Sequence, residues 1–192
     1  MEQVGSDGEE AENLRCELKN PKILIFGYVL RRDIMIKLEK VKEQDKEKLY
    51  HLLQFALYDG SFYIDNIIND NCLFDYKWFD NYFTDKNRKS YFIKYDNKIA
   101  GFVMINQYLK VLKEGYSISE FLILPQYRRN HIGKEAAYKI IELHDIWEVQ
   151  PMDNNIIAYN FWRNVIKDYT NNNYEIKTFK DMEDVFIFKR GD

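Results

Sequence analysis

The sequence predicts an α/β domain built on a mixed β-sheet. Runs of β-forming residues alternate along the chain with segments of helical period. Two of these runs are joined by Asp96, Asn97 and Lys98, a favourable hairpin turn. A further run, Ser117–Leu124, is apolar on both faces in its second half, which is typical of a central strand. The predicted order of elements is β-α-(α)-β-β-β-α-β-α-β-β.

The first half of the domain begins with a strand at Ile36–Val41, where apolar and polar residues alternate. Asp45 then opens a helix that ends at Gly60. Its apolar positions follow the i, i+3, i+4, i+7, i+8 spacing of a single helix face: Leu49, Leu52, Leu53, Ala56 and Leu57. Residues 61–87 are dense in aromatic and acidic side chains, and we expect helical turns with loops there.

The second half continues with the hairpin and the central strand, which Pro125 ends. A loop over 126–132 leads into the next helix. The elements expected here are strands at 91–95, 99–106, 146–149, 174–179 and 185–189, and helices from Gly133 and from Asn155. The last helix is expected to turn Ile157, Ala158, Phe161, Trp162, Val165 and Ile166 inward.

Residues 1–34 read as an N-terminal extension, partly disordered, before a compact domain over 35–192. Within the extension, residues 23–30 have the composition of a short buried strand. Two interpretations stay open. Either the fold does not need this segment, or the strand adds to a sheet edge of a partner subunit.

Composition bounds the classes of function. The 192 residues suit one domain, and 46% apolar with 31% charged residues exclude a disordered chain. A formal charge of -3 argues against a nucleic-acid binder, and no apolar run reaches the ~20 residues of a membrane span. Cys16, Cys72 and three scattered histidines form no metal-binding pattern, so we expect no metal site. We therefore predict a cytoplasmic protein, a monomer or homodimer, that contacts neither nucleic acid nor membrane.

The strand, loop and helix between Ser117 and Ile141 carry the chemistry. A helix N-terminus presents backbone N–H groups that lack intrahelical acceptors and lie at the positive end of the helix dipole. Arg128, Arg129 and Lys134 add positive charge to this region of an otherwise acidic protein. This combination suits a phosphate or pyrophosphate group, although a solvated basic loop has the same composition.

The run EFLILPQYRRNHIGK, from Glu120 to Lys134, resembles the cofactor-binding motif of the GNAT acyltransferase superfamily. The pattern Asn155-x-x-Ala158-x-x-Phe161-Trp162 resembles the second motif of that family, and residues 155–170 resemble bacterial members with a Phe-Trp-Arg signature. The resemblance covers about residues 36–190. It implies the acyl-CoA N-acyltransferase fold, a mixed, mostly antiparallel twisted sheet flanked by helices, with acetyl-CoA as cosubstrate.

The resemblance also implies which residues bind the cofactor. Main-chain groups of Phe121, Leu122 and Ile123 would pair with the pantetheine arm, where the central strand separates from its neighbour. Asn155 would contact the same arm, and Trp162 would line the acyl pocket or pack in the core. The pyrophosphate would lie against the loop that comprises Arg128, Arg129, Asn130, His131, Ile132, Gly133 and Lys134.

Two departures from the family pattern bear on activity. His131 stands where the motif has its first glycine, which lets the backbone approach phosphates without a Cβ. Trp162 stands where many members carry a tyrosine that protonates the departing thiolate, and an indole N–H lacks the acidity for that role. Tyr159, one turn earlier, is the first substitute, with solvent as the other proton source.

Glu120, on the central strand, is the first candidate for the general base, and Glu148 is the second. For both, an ion-paired structural carboxylate is the alternative. The acidic, aromatic segment at 58–87, with Asp59, Asp75, Tyr76 and Trp78, suits a cationic acceptor. The sequence therefore predicts an N-acetyltransferase acting on the primary amine of a small cationic molecule. The alternatives are a CoA-binding sensor that does not catalyse and an interaction module.

Overall fold

The structure, a computed structural model, describes residues 35–152, 154–179 and 182–191, together with two dipeptides of the N-terminal segment. Within these residues, seven strands form a single sheet: β3 (Ile36–Lys40), β4 (Arg88–Tyr95), β5 (Lys98–Asn106), β6 (Tyr116–Ile123), β7 (Ile146–Val149), β8 (Glu175–Phe179) and β9 (Met182–Lys189). Four helices accompany them in the same described part: α1 (Lys46–Gly60), α2 (Asn81–Thr84), α3 (Ile132–Ile141) and α4 (Ile156–Tyr169).

The strand order across the sheet is β3-β4-β5-β6-β7-β9-β8. Neighbouring strands are antiparallel except for β6 and β7, which are parallel. The predicted mixed, mostly antiparallel sheet with flanking helices is therefore confirmed, and β6 is its central strand. Asp96 and Asn97 have φ values of 47° and 62° in the β4–β5 connection, as a two-residue primed turn requires.

A hydrophobic core lies on each face of the sheet. The side chains of β5 alternate between the two cores. Val103 and Ile105 pack on one face in the cluster that holds the inward residues of α3 and α4. Phe102 and Met104 pack on the other face with Leu49, Leu53, Phe79, Tyr82 and Leu122. Side chains therefore pack on both faces of the sheet at the central strand β6, and this packing holds its main chain in place.

The element order matches the prediction, with small differences at the boundaries. The helix predicted from Gly133 begins at Ile132, and Asn155 caps α4 as expected by accepting a hydrogen bond from the Ala158 N–H at 2.9 Å. The inward position of Ile157 is wrong: this side chain is 73% exposed. The buried residues of α4 all lie in its later turns, so its first turn carries apolar side chains in solvent.

The chain divides into two compact units, Met1–Ile34 and Met35–Asp192. The described backbone of the first comprises β1 (Leu24–Ile25) and β2 (Tyr28–Val29), which pair antiparallel with each other. The other positions of the strand predicted at residues 23–30 lie outside the described residues, and its role stays a prediction. The rest of the extension, including Cys16, lies outside the described residues. Among the helices that are described, none combines the length and the apolar character needed to cross a bilayer.

Candidate active site

The central strand separates from its parallel neighbour after two residue pairs. Tyr116 lies opposite Trp147 and Ser117 opposite Glu148, and no further pairing joins these strands in the described chain. β6 nevertheless continues to Ile123. From residue 118 onward, one edge of β6 is therefore open to a ligand that can hydrogen-bond to a strand.

The main-chain groups on that open edge belong to alternate residues. A Cβ placed on Gly101 would lie 1.9 Å from the Leu122 carbonyl oxygen, so this carbonyl faces β5. Leu124 also faces β5, since its N–H donates to the Ala100 carbonyl at 2.8 Å. Phe121 and Ile123 consequently face the opening. The main-chain groups of Leu122 therefore face β5 and those of Phe121 and Ile123 face the opening, and their roles in cofactor binding stay predictions.

The loop before α3 presents a row of free backbone donors. Arg129 and His131 both adopt left-handed conformations, with φ values of 64° and 61°. Within the described chain, the N–H groups of residues 129–134 donate to no protein acceptor. Consecutive free N–H groups at a helix N-terminus make a site for an anion. The left-handed backbone at His131 also explains why glycine suits this position.

The basic side chains of the loop contribute less charge than the sequence suggests. Arg128 Nη2 pairs with Asp59 Oδ2 at 2.9 Å, and its Nε donates to the Ile123 carbonyl at 2.7 Å. Lys134 Nζ pairs with Asp168 Oδ2 at 2.7 Å. Among the described residues, Arg129 makes no ion pair. Backbone N–H groups, more than side chains, therefore form the anion site, and Arg128 ties the end of β6 to α1.

Gly133 and Ile132 have structural functions at the start of α3. Ile132 is buried in the core, where it anchors the loop. A Cβ on Gly133 would lie 3.4 Å from Phe161 Cε2 and 3.6 Å from Ile123 Cγ1, which are ordinary contacts. An alanine therefore fits at residue 133.

Glu120 lies on β6 within the open segment, opposite Met104. The pairing register shifts between Met104 and Ile105, because Ser119 is an extra residue on the β6 side. Burial raises the pKa of the Glu120 carboxyl from its ordinary value of 4.5 to about 7, while a hydrogen bond from Tyr76 opposes that rise. A carboxyl that titrates near neutral pH can both accept and release a proton during turnover.

A network of hydroxyl and amide groups surrounds this carboxyl. The Tyr76 hydroxyl has Glu120 and Tyr82 as hydrogen-bonding neighbours. Tyr82 Oη in turn donates to Ser119 Oγ at 2.8 Å, and Asn106 Nδ2 donates to the same oxygen. The sequence predicted Tyr76 only as an acceptor contact, and Tyr82, Ser119 and Asn106 were not predicted. The density of aromatic residues in 61–87 is a signal for Tyr82 alone, since Asn106 and Ser119 lie on β5 and β6.

These features lie inside a segment that a family model also matches: residues 46–165 match the acetyltransferase (GNAT) family. This chain belongs to the GNAT family. Solved structures similar to it include an acetyltransferase from Thermus thermophilus, with 10% identity, a TM-score of 0.58, and coverage of 81% of this chain and 97% of that one. The comparison with curated proteins found no match.

Two further similar structures share the fold at low identity. Aminoglycoside acetyltransferase AAC(6')-Ib in complex with coenzyme A has 13% identity and a TM-score of 0.56, over 81% of this chain and 95% of that one. The ribosomal-protein-S18-alanine N-acetyltransferase from Escherichia coli has 13% identity and a TM-score of 0.52, over 81% and 93%. The resemblance of Phe161, Trp162 and Arg163 to a bacterial GNAT subgroup stays a prediction.

In this GNAT chain, the structure does not bring Tyr159 together with Glu120. The Tyr159 hydroxyl donates to Asp184 Oδ2 of β9 at 2.9 Å, and its ring lies 5.3 Å from that of Phe186. Burial raises the pKa of Tyr159, and the bond to Asp184 raises it further. The described contacts thus direct this hydroxyl toward β9, whereas those of Glu120 are with Tyr76 on the α1 and α2 side of the sheet.

Trp162 lies on α4 and contacts the open segment of β6, and Asn155 is the N-cap of the same helix. Trp162 is buried, and its ring centroid lies 5.2 Å from that of Phe121 in an edge contact. Asn155 uses its Oδ1 to cap α4, and among the described residues its Nδ2 has no acceptor. Trp162 therefore packs directly behind the open segment of β6, and the amide of Asn155 keeps a free donor.

Glu148 has a structural function. Its buried carboxylate accepts hydrogen bonds from three consecutive backbone N–H groups, those of Lys110, Val111 and Leu112. Three donors on one carboxylate hold the loop between β5 and β6 against β7. The structural alternative therefore describes Glu148 better than the role of base, and Glu120 stays the candidate.

A cavity of about 790 Å³ opens between the start of α1 and the segment before α2. Its charged lining comprises four carboxylates and two ammonium groups: Glu43, Glu47, Asp75, Asp80, Lys46 and Lys77. Tyr76, the neighbour of Glu120, also lines it. Of the acceptor residues expected from the sequence, Asp75 and Tyr76 line this cavity. Asp59 instead pairs with Arg128, and the exposed ring of Trp78 contacts Lys77 and Arg88.

Proposed function

We propose that this chain is an N-acetyltransferase that moves the acetyl group of acetyl-CoA to the primary amine of a small, cationic acceptor. The observation that carries the proposal is the position of Glu120. A carboxyl with a pKa of about 7 lies on the central strand of a GNAT fold, within the segment whose edge is open, and it neighbours Tyr76, which lines an acidic cavity. These are the elements that deprotonation of an ammonium group next to an acyl donor requires.

Acetyl-CoA, when bound, supplies the acetyl thioester. The residues that would hold it are those with free donors on one side of the sheet. Phe121 and Ile123 would offer main-chain groups to the pantetheine amides, and Asn155 would offer its Nδ2. The N–H groups from Arg129 to Lys134 would hold the pyrophosphate. Trp162 would support Phe121 from behind and close the acyl pocket.

In this reaction Glu120 takes a proton from the acceptor ammonium, which makes the nitrogen a nucleophile. Because the pKa of Glu120 is about 7, half of the molecules hold the ionised base at neutral pH. Main-chain N–H groups of the open β6 segment, near Phe121, polarise the carbonyl under attack. Solvent supplies the proton of the departing thiol, since the Tyr159 hydroxyl is directed to Asp184.

The cationic nature of the acceptor rests on the charge of the cavity. Four carboxylates face two ammonium groups, and one of these, Lys46, is already paired with Asp80 at 3.0 Å. Among the described residues, Glu47 makes no ion pair. A molecule that brings one or two positive charges into this cavity would thus be attracted, and the attraction would weaken as salt is added. AAC(6')-Ib, a structural neighbour, is an aminoglycoside acetyltransferase.

The test is acetyl-CoA-dependent thiol release with a panel of amines: a linear diamine, a polyamine, an aminoglycoside, a free amino acid and a peptide N-terminus. We expect release with the polycationic amines and a KM that rises with salt. Glu120→Gln should lower kcat by about 10²-fold or more, whereas the exposed control Glu142→Gln should not. Binding of acetyl-CoA without release for any amine would favour the sensor alternative. Release with the amino acid or the peptide alone would contradict the cationic acceptor.

A further inference from the structure

Tyr76 connects the acidic cavity with Glu120. Its side chain lines that cavity, which lies between α1 and the segment before α2, whereas Glu120 is not among the lining residues. Its hydroxyl has the Glu120 carboxyl as a hydrogen-bonding neighbour. Tyr76 is thus the residue of the cavity that links a bound amine to the carboxyl on β6.

We propose that Tyr76 is a catalytic residue that relays the proton of the acceptor ammonium group to Glu120. The inference rests on the proposed function and deepens it. An N–H bond of the ammonium breaks as the proton passes to Tyr76 Oη. In the same event the original hydroxyl proton of Tyr76 passes to a carboxylate oxygen of Glu120. The products are a neutral amine, a neutral tyrosine and a protonated Glu120, so no charge is left on the phenol.

The relay needs a fixed carboxyl, and the bulge on β6 provides one. Ser119 is the extra residue of that bulge, and its Oγ accepts from both Tyr82 Oη and Asn106 Nδ2. Tyr82 is buried in the core between α1 and the sheet. Tyr82 is on α2 and Asn106 is on β5, so the two donors hold Ser119 from two elements. Because Glu120 is the next residue, its backbone is held in place as well. Tyr82 also neighbours the Tyr76 hydroxyl, which keeps the relay tyrosine oriented.

The charged and titratable groups around the relay favour a neutral phenol. The groups that face the Tyr76 hydroxyl are Glu120 from β6 and Tyr82 from α2, and no cation is among them in the described structure. Burial and these neighbours raise the pKa of Tyr76. The phenol therefore stays protonated at neutral pH. It releases its hydroxyl proton to Glu120 only as it accepts a proton from the ammonium group. This is the behaviour of a relay, and it differs from that of a tyrosinate base.

The test compares Tyr76→Phe with Tyr174→Phe. Tyr174 is outside the lining of the cavity, precedes the edge strand β8, and packs its ring against Phe186 with 6.0 Å between centroids. We expect Tyr76→Phe to lower kcat by about 10²-fold at unchanged acetyl-CoA affinity. The acidic limb of its pH profile should move to higher pH, since the bond that lowers the pKa of Glu120 is lost. Tyr174→Phe should keep kcat within about threefold and leave the profile unmoved.

A second readout does not depend on turnover. The Glu120 carboxyl can be titrated by carbon NMR in protein labelled at glutamate, and its midpoint should rise in Tyr76→Phe but not in Tyr174→Phe. An unchanged midpoint, or wild-type turnover in Tyr76→Phe, would overturn the relay while the proposed function stands. Absence of thiol release from the wild-type protein with every amine would overturn both.

Discussion

Replacing Glu120 by glutamine should stabilise the folded protein while it lowers kcat. The reason is that the native environment disfavours the charged form of this carboxyl. Its pKa is about 7 in the folded state against an ordinary value of 4.5. At about 1.4 kcal/mol per pKa unit, this difference corresponds to roughly 3 kcal/mol of lost stability once the group is ionised. A neutral amide of the same shape does not carry that cost.

The effect has a definite dependence on pH. Below pH 4.5 the carboxyl is protonated in both states, so it contributes no penalty. Between pH 4.5 and about 7 the unfolded chain releases the proton and the folded chain keeps it, so stability falls as pH rises. We expect Glu120→Gln to exceed the wild type in unfolding free energy by less than about 1 kcal/mol at about pH 5 and by about 3 kcal/mol at about pH 8.

The assay is urea denaturation followed by tryptophan fluorescence, with wild type, Glu120→Gln and the exposed control Glu142→Gln at both pH values. Titrations common to all three proteins cancel in the differences. The control should show no difference that depends on pH. If Glu120→Gln is equally or less stable than the wild type at the higher pH, Glu120 is not a buried group with a raised pKa, and its role as the base fails.

Three other substitutions test separate parts of the account. Gly101→Ala should lower the unfolding free energy by about 3 kcal/mol, because the new Cβ would lie 1.9 Å from a carbonyl oxygen. Its control is Gly60→Ala, whose Cβ would meet only a flexible side chain. That variant should change the unfolding free energy by less than about 1 kcal/mol in the same urea assay. His131→Gly should keep the unfolding free energy within about 1 kcal/mol of the wild type. Glycine removes the strain of a side chain in a left-handed conformation, and this offsets the greater conformational freedom of glycine in the unfolded chain. Calorimetry should show tighter acetyl-CoA binding. Tyr159→Phe should cost about 1 kcal/mol through the lost bond to Asp184 but keep kcat within about threefold. A drop of about 30-fold in the thiol-release assay would instead restore Tyr159 as the acid.

The order of elements was predictable because it depends on local patterns. The β4–β5 turn follows from Asp96 and Asn97, which tolerate left-handed backbone, and the start of α4 follows from the capping side chain of Asn155. The anion site before α3 also has a local origin, since it consists of consecutive backbone groups. Patterns of this kind need no knowledge of distant residues.

The parts that sequence reasoning missed depend on contacts between distant segments. Tyr82 and Ser119 are 37 positions apart, and Arg128 and Asp59 are 69 apart. No local pattern indicates that Arg128 and Lys134 form ion pairs with distant aspartates. The positive charge expected of the loop from the sequence is therefore larger than the charge that the loop has available in the structure. The orientation of Leu122 likewise depends on its pairing with β5, since a shift of one residue would turn its carbonyl to the open edge.

The most direct test of the central claim is calorimetric titration of the protein with acetyl-CoA, for the wild type, Gly133→Ala and Gly133→Glu. The alanine fits in ordinary contact with Phe161, so Gly133→Ala should bind acetyl-CoA like the wild type. The glutamate adds a negative charge among the free N–H groups of residues 129–134, so Gly133→Glu should lose binding by about 10²-fold. No binding to the wild type, or equal binding to all three proteins, would contradict the cofactor site and the acetyltransferase function with it.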